Sequence, residues 1–528
     1  MTIKGSNGND VLKGTAHNDI FDLSQGGNDV ANGLGGDDIF KFGAAFTAAD
    51  HIQGGAGNDV LSLDGNYAGT RGVTFGTATM TGVETIRLAA GHDYKLTTND
   101  ANVAAQATLK VDGGNLGAAD ILAFNGSHET DGRLNLIGGL ANDVLTGGTK
   151  NDIFSLGFGG NDTANGGGGN DLFKLLAGFN ALDRITGGTG TDPLALQGNY
   201  WGSHAVTFSA STMSAVEKIS LAAGFRYDLA TANANVALNA ALTVDAHGLG
   251  ASDRLTFDGR AETNGHFVIT GGAGTDIFNI GSPDVFAAST INGGGGHDTI
   301  VLDGDFLGGT AVNITHAMTN NVETLQLVDG NTYWLNFDVG VVSSGTFTVD
   351  GSHLTGSNYL SIDAGTASGG KLVELGGSGN DTLTGGFASA NRLSGGAGQD
   401  ELREGGGPTT FVFTAASDSS SNLYDTVTGF TASQDHFNMP VAVTSLGAPV
   451  AGGSLNSASF DADIASAVGA IAAGEAIVFT PSSGDEHGAN ISFLIVNIDG
   501  VAGYQGGSDL VIRLDTADLT GFGTDNFI

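Results

Sequence analysis

The feature that most constrains this chain is a short glycine–aspartate phrase that recurs at a fixed step, inside a longer segment that itself recurs. "GGAGNDVLS" stands at Gly54–Ser62, "GGLANDVLT" begins at Gly138, "GGTKNDIFS" at Gly147, "GGGGNDLFK" at Gly166, "GGAGTDIFN" at Gly271, "GGSGNDTLT" at Gly376 and "GGAGQDELR" at Gly395. The motif aspartates fall at 10, 19, 29, 38, 50 and 59, and again at 143, 152, 162, 171, 183 and 192, each shifted by 133 (143 − 10 and 192 − 59). The intervening text follows the same shift: "GNYAGTRGVTFGTATMTGVETIRLAAG" from Gly65 matches "GNYWGSHAVTFSASTMSAVEKISLAAG" from Gly198. A third, shorter copy runs from Gly271. A nine-residue period nested in a 133-residue period is the signature of a solenoid made by tandem duplication.

Local physics gives each half of the phrase a role. G-G-x-G-x-D makes a turn that needs glycine, because it requires positive φ and close backbone approach. The following x-U-x makes a very short strand with one inward apolar side chain. Turn, strand, turn, strand closes a coil of about 18 residues, and coils stack as parallel sheets with strands ~4.8 Å apart. The turns on one side then stack too, and an aspartate from every second repeat meets its neighbour. Two carboxylates and several free carbonyls form a hard, all-oxygen site of about six ligands, which suits Ca²⁺ better than Zn²⁺ or Cu²⁺. Turn chemistry alone accounts for one copy of Gly-Asn-Asp, but not for more than ten at near-fixed spacing.

Composition narrows the class. Gly is 89 of 528 residues and Pro only 6, so collagen is excluded; hydrophobic residues at 40% argue against disorder. Aromatics are sparse, which predicts a thin, aliphatic core. The net charge of −37 opposes contact with nucleic acid and anionic membranes, and calls for bound cations. There is no cysteine, hence no disulfide or thiolate metal site, and no apolar run long enough to span a membrane. The opening "MTIKGSNGNDVLKG" has no apolar core of a Sec-type signal peptide.

These phrases resemble the RTX family of secreted bacterial calcium-binding proteins, over residues 5–62, 138–195, 271–301 and 376–413. In that family one loop gives its Asp and the carbonyls of its second and fourth residues, and the loop one coil later gives its Asp and the carbonyls of its first and third. The resemblance therefore implies that Asp10 pairs with Asp29, Asp19 with Asp38, Asp143 with Asp162, and Asp152 with Asp171. It adds Asp59, Asp192, Asp276, Asp298, Asp381 and Asp400 as ligands, Gly8, Gly36, Gly57 and Gly169 as fourth-position carbonyls, and Gly26, Gly35, Gly159 and Gly168 as third-position carbonyls. Roughly ten to fifteen Ca²⁺ follow from that count. The loops before Asp50 ("AFTAAD") and Asp183 ("FNALD") lack the glycines, and "GGFASANRLS" has Asn391 at the Asp position. Residues 409–439 are similar to the segment that closes RTX rolls, and residues 491–528 look like an uncleaved type I secretion signal. A helix before it is expected with Ile464, Val468 and Ile471 on one face and Asp461 or Asp463 as cap.

The expected architecture is all-β, an elongated parallel β-solenoid. It comprises rolls at 1–64, 138–197, 271–301 and 376–413, spacers at 65–137, 198–270 and 302–375 read as wider rungs of the same solenoid, and a cap with the secretion region at 414–528. Three separately inserted sandwiches are the alternative for the spacers. No H-E-x-x-H, G-x-S-x-G or phosphate-loop motif occurs. His17, His51 and His297 are expected to face solvent. Tyr200-Trp201 and Tyr333-Trp334 are candidates either for sugar stacking or for core. The functional expectation is a secreted structural protein of the cell surface or matrix, exported by a type I apparatus and folding on external calcium. Some S-layer proteins are RTX solenoids, and the resemblance extends the expectation to calcium-dependent self-association, head to tail, into a lattice or filament. A surface polysaccharide is a possible partner; an adhesin and a polysaccharide-acting enzyme are the two other classes.

Overall fold

The computed structural model describes residues 1–307, 312–342, 345–387 and 390–528. Parts of the third spacer (308–311 and 343–344) and of "GGFASANRLS" (388–389) lie outside the described residues. The chain divides into two compact units, Met1–Gly274 and Thr275–Ile528.

In the first unit the x-U-x triplets become strands of three to six residues. Thr2–Lys4, Ile20–Asp22, Ile39–Phe42 and Val60–Leu63 follow one another as parallel neighbours in one sheet. Their partners on the other side of the coil are Val11–Lys13, Val30–Gly35 and His51–Ala56. The spacers continue the same sheets. Thr85–Leu88 pairs in parallel with Val60–Leu63, Thr108–Asp112 follows it, and Arg133–Ile137 leads to Ile153–Leu156 at the next roll. In this unit the strands of both spacers therefore continue the parallel sheets of the rolls.

Burial alternates along the strands, as in "TLKVD" at Thr108–Asp112, where Leu109 and Val111 are buried. The core is not purely aliphatic. Coils stacked in register bring each inward position over its own repeat, so aromatic residues of adjacent coils stack in pairs within a largely aliphatic core. Phe21 stacks on Phe40 with ring centroids 4.7 Å apart, Phe154 on Phe173 at 4.8 Å, and Tyr67 on Tyr94, like Tyr200 on Tyr227, at 6.0 Å. The Tyr hydroxyls donate to backbone carbonyls: Tyr94 Oη to that of Ala89 at 2.7 Å, and Tyr67 and Tyr200 to those of Gly43 and Leu176.

The second unit repeats the scheme and ends differently. Asp425–Thr428 pairs in parallel with Leu510–Asp515, and Glu475–Thr480, Ile491–Val496 and Leu510–Asp515 form an antiparallel ribbon. A helix, Phe460–Val468, covers it through Phe460, Ile464 and Val468. Ile471 joins that cluster from beyond the helix, because Gly469 at φ +63 ends it. Neither Asp461 nor Asp463 is the cap residue: Ser459 is, and Asp463 Oδ2 accepts from the Ser459 hydroxyl at 2.9 Å.

Candidate metal centres

The stacked turns form a carboxylate ladder. Within a roll, a motif aspartate offers Oδ1 to the backbone N–H of the aspartate one coil earlier, whereas Asp143, Asp152 and Asp381, which open their rolls, accept there from Leu122, Leu134 and Leu360 N–H. Asp29 accepts from Asp10 at 2.9 Å, Asp38 from Asp19 at 2.7 Å, Asp162 from Asp143 at 2.9 Å and Asp171 from Asp152 at 2.7 Å. The same four pairs are those that the resemblance implies as shared calcium ligands; what joins them in this structure is the N–H···O hydrogen bond. The ladder also links Asp38 to Asp59, Asp171 to Asp192, Asp276 to Asp298 and Asp381 to Asp400. The step is 19 residues between full motif loops, 21 where a longer loop intervenes and 22 from Asp276 to Asp298.

The second oxygen separates two kinds of turn. In the turns that open a roll, Oδ2 bends back onto the loop. Asp10 accepts from Ser6 N–H, Asp19 from Thr15, Asp143 from Gly139, Asp152 from Gly148 and Asp381 from Gly377. In later turns it has no partner and is buried, at Asp29, Asp38, Asp59, Asp171, Asp192, Asp298 and Asp400. A buried carboxylate oxygen without a donor is costly, and a divalent cation is the partner that a hard, anionic pocket of this kind selects.

The glycines make the pocket. A Cβ built on Gly147 would lie 2.5 Å from Asp152 Oδ2, so the first position of this turn must be bare. At the fourth position Gly57 (φ +144) and Gly169 (φ +101) lie in the left-handed region, and a Cβ on Gly57 would strike the Gly36 carbonyl oxygen. Of the other glycines named for their carbonyls, Gly26, Gly36 and Gly159 also take positive φ, whereas Gly8, Gly35 and Gly168 do not. Gly35 and Gly168 end strands.

Burial raises most of these carboxyls. It pushes Asp59, Asp152 and Asp381 up to about 6, and Asp162, Asp171, Asp298 and Asp400 up to about 7, with neighbouring ladder charges adding to the rise at Asp162 and Asp171. Asp19 goes the other way, held low by the Met1 ammonium 2.8 Å from its Oδ1.

The glycine-poor loops keep the ladder but not the free oxygen. Asp50 and Asp183 accept from Asp29 and Asp162 N–H at 2.7 and 2.6 Å, yet Thr47 and Asn180 N–H occupy their Oδ2. Asn391 is pinned by Gly386, whose N–H donates to Oδ1 at 2.8 Å. His17, His51 and His297 are exposed. Tyr200 and Tyr333 are core, while Trp201 and Trp334 lie on the surface, 48% and 44% exposed.

Three features escaped sequence reasoning. An Asn or Asp just before the motif Asp builds a second, outer ladder: Asn9 Oδ1 accepts from Asn28 N–H and Asn151 Oδ1 from Asn170 N–H, both at 2.9 Å. The frequent Asn of "GND" was the available signal. Outside the rolls, Asp100, Glu129 and Asp131 bring carboxylate oxygens within 4.8 Å of one another, a grouping visible only once the wide coils are stacked. Each roll is also closed by a carboxylate outside the motif, which accepts from the N–H of its last motif aspartate.

The model of the RTX calcium-binding nonapeptide repeat (4 copies) matches residues 2–26, 46–66, 137–173, 288–306 and 375–407. No curated protein matches the chain. Fold and repeat together define a parallel β-solenoid with calcium-binding turns. The chain carries RTX calcium-binding repeats on that solenoid, and the two together fit an RTX β-roll protein. The same ladder extends beyond the matched residues, through Asp29, Asp38 and Asp192.

Proposed function

We propose that this chain is a secreted structural protein that folds on calcium outside the cell and assembles with copies of itself at the cell surface or in the matrix. The observation that carries the reading is the row of buried, unpartnered carboxylate oxygens running coil after coil through a chain of net charge −37. Such a row opposes folding until cations enter it. Calcium is scarce in cytosol and millimolar outside, so export precedes folding. RTX repeat proteins are typically secreted, and the C-terminal segment supports the same order of events. Ile491–Val496 and Leu510–Asp515 are inner strands of the cap, and Phe527 packs on Phe437 at 5.9 Å. A signal in residues 491–528 is readable by a type I apparatus only before the cap closes.

The test of assembly is light scattering at micromolar protein, with calcium stripped and then at millimolar Ca²⁺. Reversible growth of large particles on adding calcium supports the structural reading; a stable monomer ends it. One observation favours a polysaccharide-binding role as the second reading. Trp201 and Trp334 present half-exposed indoles, with the Arg226 guanidinium 5.4 Å from the Trp201 ring centroid. Binding to a glycan array that is lost in Trp201→Ala and Trp334→Ala would establish it.

A further inference from the structure

We propose that each of the first three rolls ends in a Ca²⁺ site whose closing carboxylate is a spacer glutamate: Glu84, Glu217 and Glu323. The last motif aspartate of each roll has no motif loop above it. Its N–H nevertheless meets a carboxylate oxygen: Asp59 donates to Glu84 Oε2, Asp192 to Glu217 Oε2 and Asp298 to Glu323 Oε2, each at 2.8 Å and each across 25 residues. The glutamate thus stands where the next aspartate of the ladder would stand.

A backbone carbonyl completes the likeness. Between consecutive motif loops, the first glycine of one lies against the first-position carbonyl of the next, as Gly14 does against Gly33 and Gly147 against Gly166. At the roll ends the same contact is made with the spacer. Gly54 meets the Gly82 carbonyl oxygen, Gly187 that of Ala215 and Gly293 that of Asn321. Those three spacer residues share one conformation, with φ +57, +48 and +49. In Ala215 it is a conformation that L side chains rarely adopt. The spacer reaches from carbonyl to carboxylate in two residues where a motif loop uses five, and the longer Glu side chain spans the difference.

The oxygens converge on an atom that lacks a partner. Asp59, Asp192 and Asp298 are each 0% exposed, and Oδ2 of each accepts no hydrogen bond. It lies 2.5, 2.6 and 2.5 Å from a Cβ built on the same glycine that faces the spacer carbonyl. The three sites therefore repeat one donor set: a buried Asp oxygen, a left-handed residue's carbonyl and a Glu carboxylate. All are hard oxygens with two formal negative charges, a set that fits Ca²⁺. Their function is to bind the wide coil to the roll, so that a cation locks the register where the nonapeptide stops. The fourth roll makes the same 25-residue step to Asp425, which accepts from Asp400 N–H at 2.9 Å.

The experiment is calcium counting on the full chain by equilibrium dialysis, at a free calcium just sufficient to saturate the parent. Glu84→Gln, Glu217→Gln and Glu323→Gln keep an acceptor for the aspartate N–H while removing the charge. The combined variant is expected to hold about three fewer ions than the parent, and Glu84→Gln alone about one fewer. Circular dichroism in calcium checks that the variants remain β-folded; a variant that folds only at higher calcium than the parent, with the full count restored there, also supports the sites. An unchanged count and unchanged affinity would overturn the proposal while leaving calcium binding by the motif turns intact. A parent that binds no calcium would overturn both.

Discussion

Asp171→Asn tests whether the ladder aspartates serve a cation or only one another. Asp171 is fully buried, accepts the Asp152 N–H through Oδ1 at 2.7 Å, and leaves Oδ2 without a partner. Asparagine keeps the acceptor and nearly the shape, and removes the charge. With calcium stripped at about pH 8, the parent carries at this position a carboxylate that burial has pushed up to about 7, beside the charges of Asp152 and Asp192. Neutralising it stabilises the calcium-free fold by on the order of 1 kcal/mol once solvent screening is allowed for. With calcium at about a hundred times its dissociation constant, losing a carboxylate ligand forfeits up to ~2.7 kcal/mol of binding linkage. At ~2–4 °C per kcal/mol, the calcium-loaded variant melts about 5–10 °C lower. The assay is circular dichroism in both conditions, with an osmolyte added to hold a folded fraction when calcium is absent. The predicted result is a change of sign: gain or no loss without calcium, clear loss with it. Asp171→Ala, which orphans the Asp152 N–H, loses about 1–3 kcal/mol in both conditions. If Asp171→Asn destabilises equally with and without calcium, the side chain is only a hydrogen-bond acceptor and the cation argument fails.

The remaining predictions concern pH, turn geometry and export. The motif carboxyls raised to about 6 or 7 bind more protons folded than unfolded, so their contribution to the calcium-free fold is present in full below about pH 4 and lost as pH rises through 6 to 7. Metal-free protein should therefore show more β signal by circular dichroism at about pH 5 than at pH 8, and a flat or opposite profile would contradict this. Gly167→Ala, at φ +96 and against the Gly148 carbonyl, should cost about 2–4 kcal/mol of urea stability in calcium, while Gly91→Ala, at φ +89 with open space around it, should cost about 1. Equal losses would show that packing of the turn against the coil below does not matter. Residues 491–528 fused behind an unrelated slow-folding passenger should direct its export from cells with a type I apparatus; retention inside would remove the secretion assignment.

The roll was legible because its chemistry is local. Gly147, Asp152 and the apolar pair of "NDIFS" sit within one phrase, and the period alone places Asp152 one coil from Asp171. What the sequence did not disclose depends on the coil next door. Asp143 and Asp171 occupy the same motif position, yet one folds Oδ2 onto Gly139 N–H and the other leaves it free, and only the presence of a full motif loop in the preceding coil separates them. The stacking of Tyr67 on Tyr94 requires knowing that a wide coil takes 27 residues. The closing glutamates have a visible signal in "VET", "VEK" and "VET" at Glu84, Glu217 and Glu323, but the phrase reads as an ordinary strand start until the register lays it over the preceding aspartate. The core is mainly aliphatic, as the sparse aromatics imply, but register places some of those aromatics directly over one another.

The most direct test of the account is a calcium titration of the metal-stripped chain at about pH 8, followed by far-ultraviolet circular dichroism. The ladder predicts a largely unfolded spectrum without calcium and a cooperative rise of β signal as calcium reaches the millimolar range, reversed by a chelator. A full β spectrum in the stripped chain, unchanged by calcium, would contradict the claim that cations in these turns hold the solenoid together.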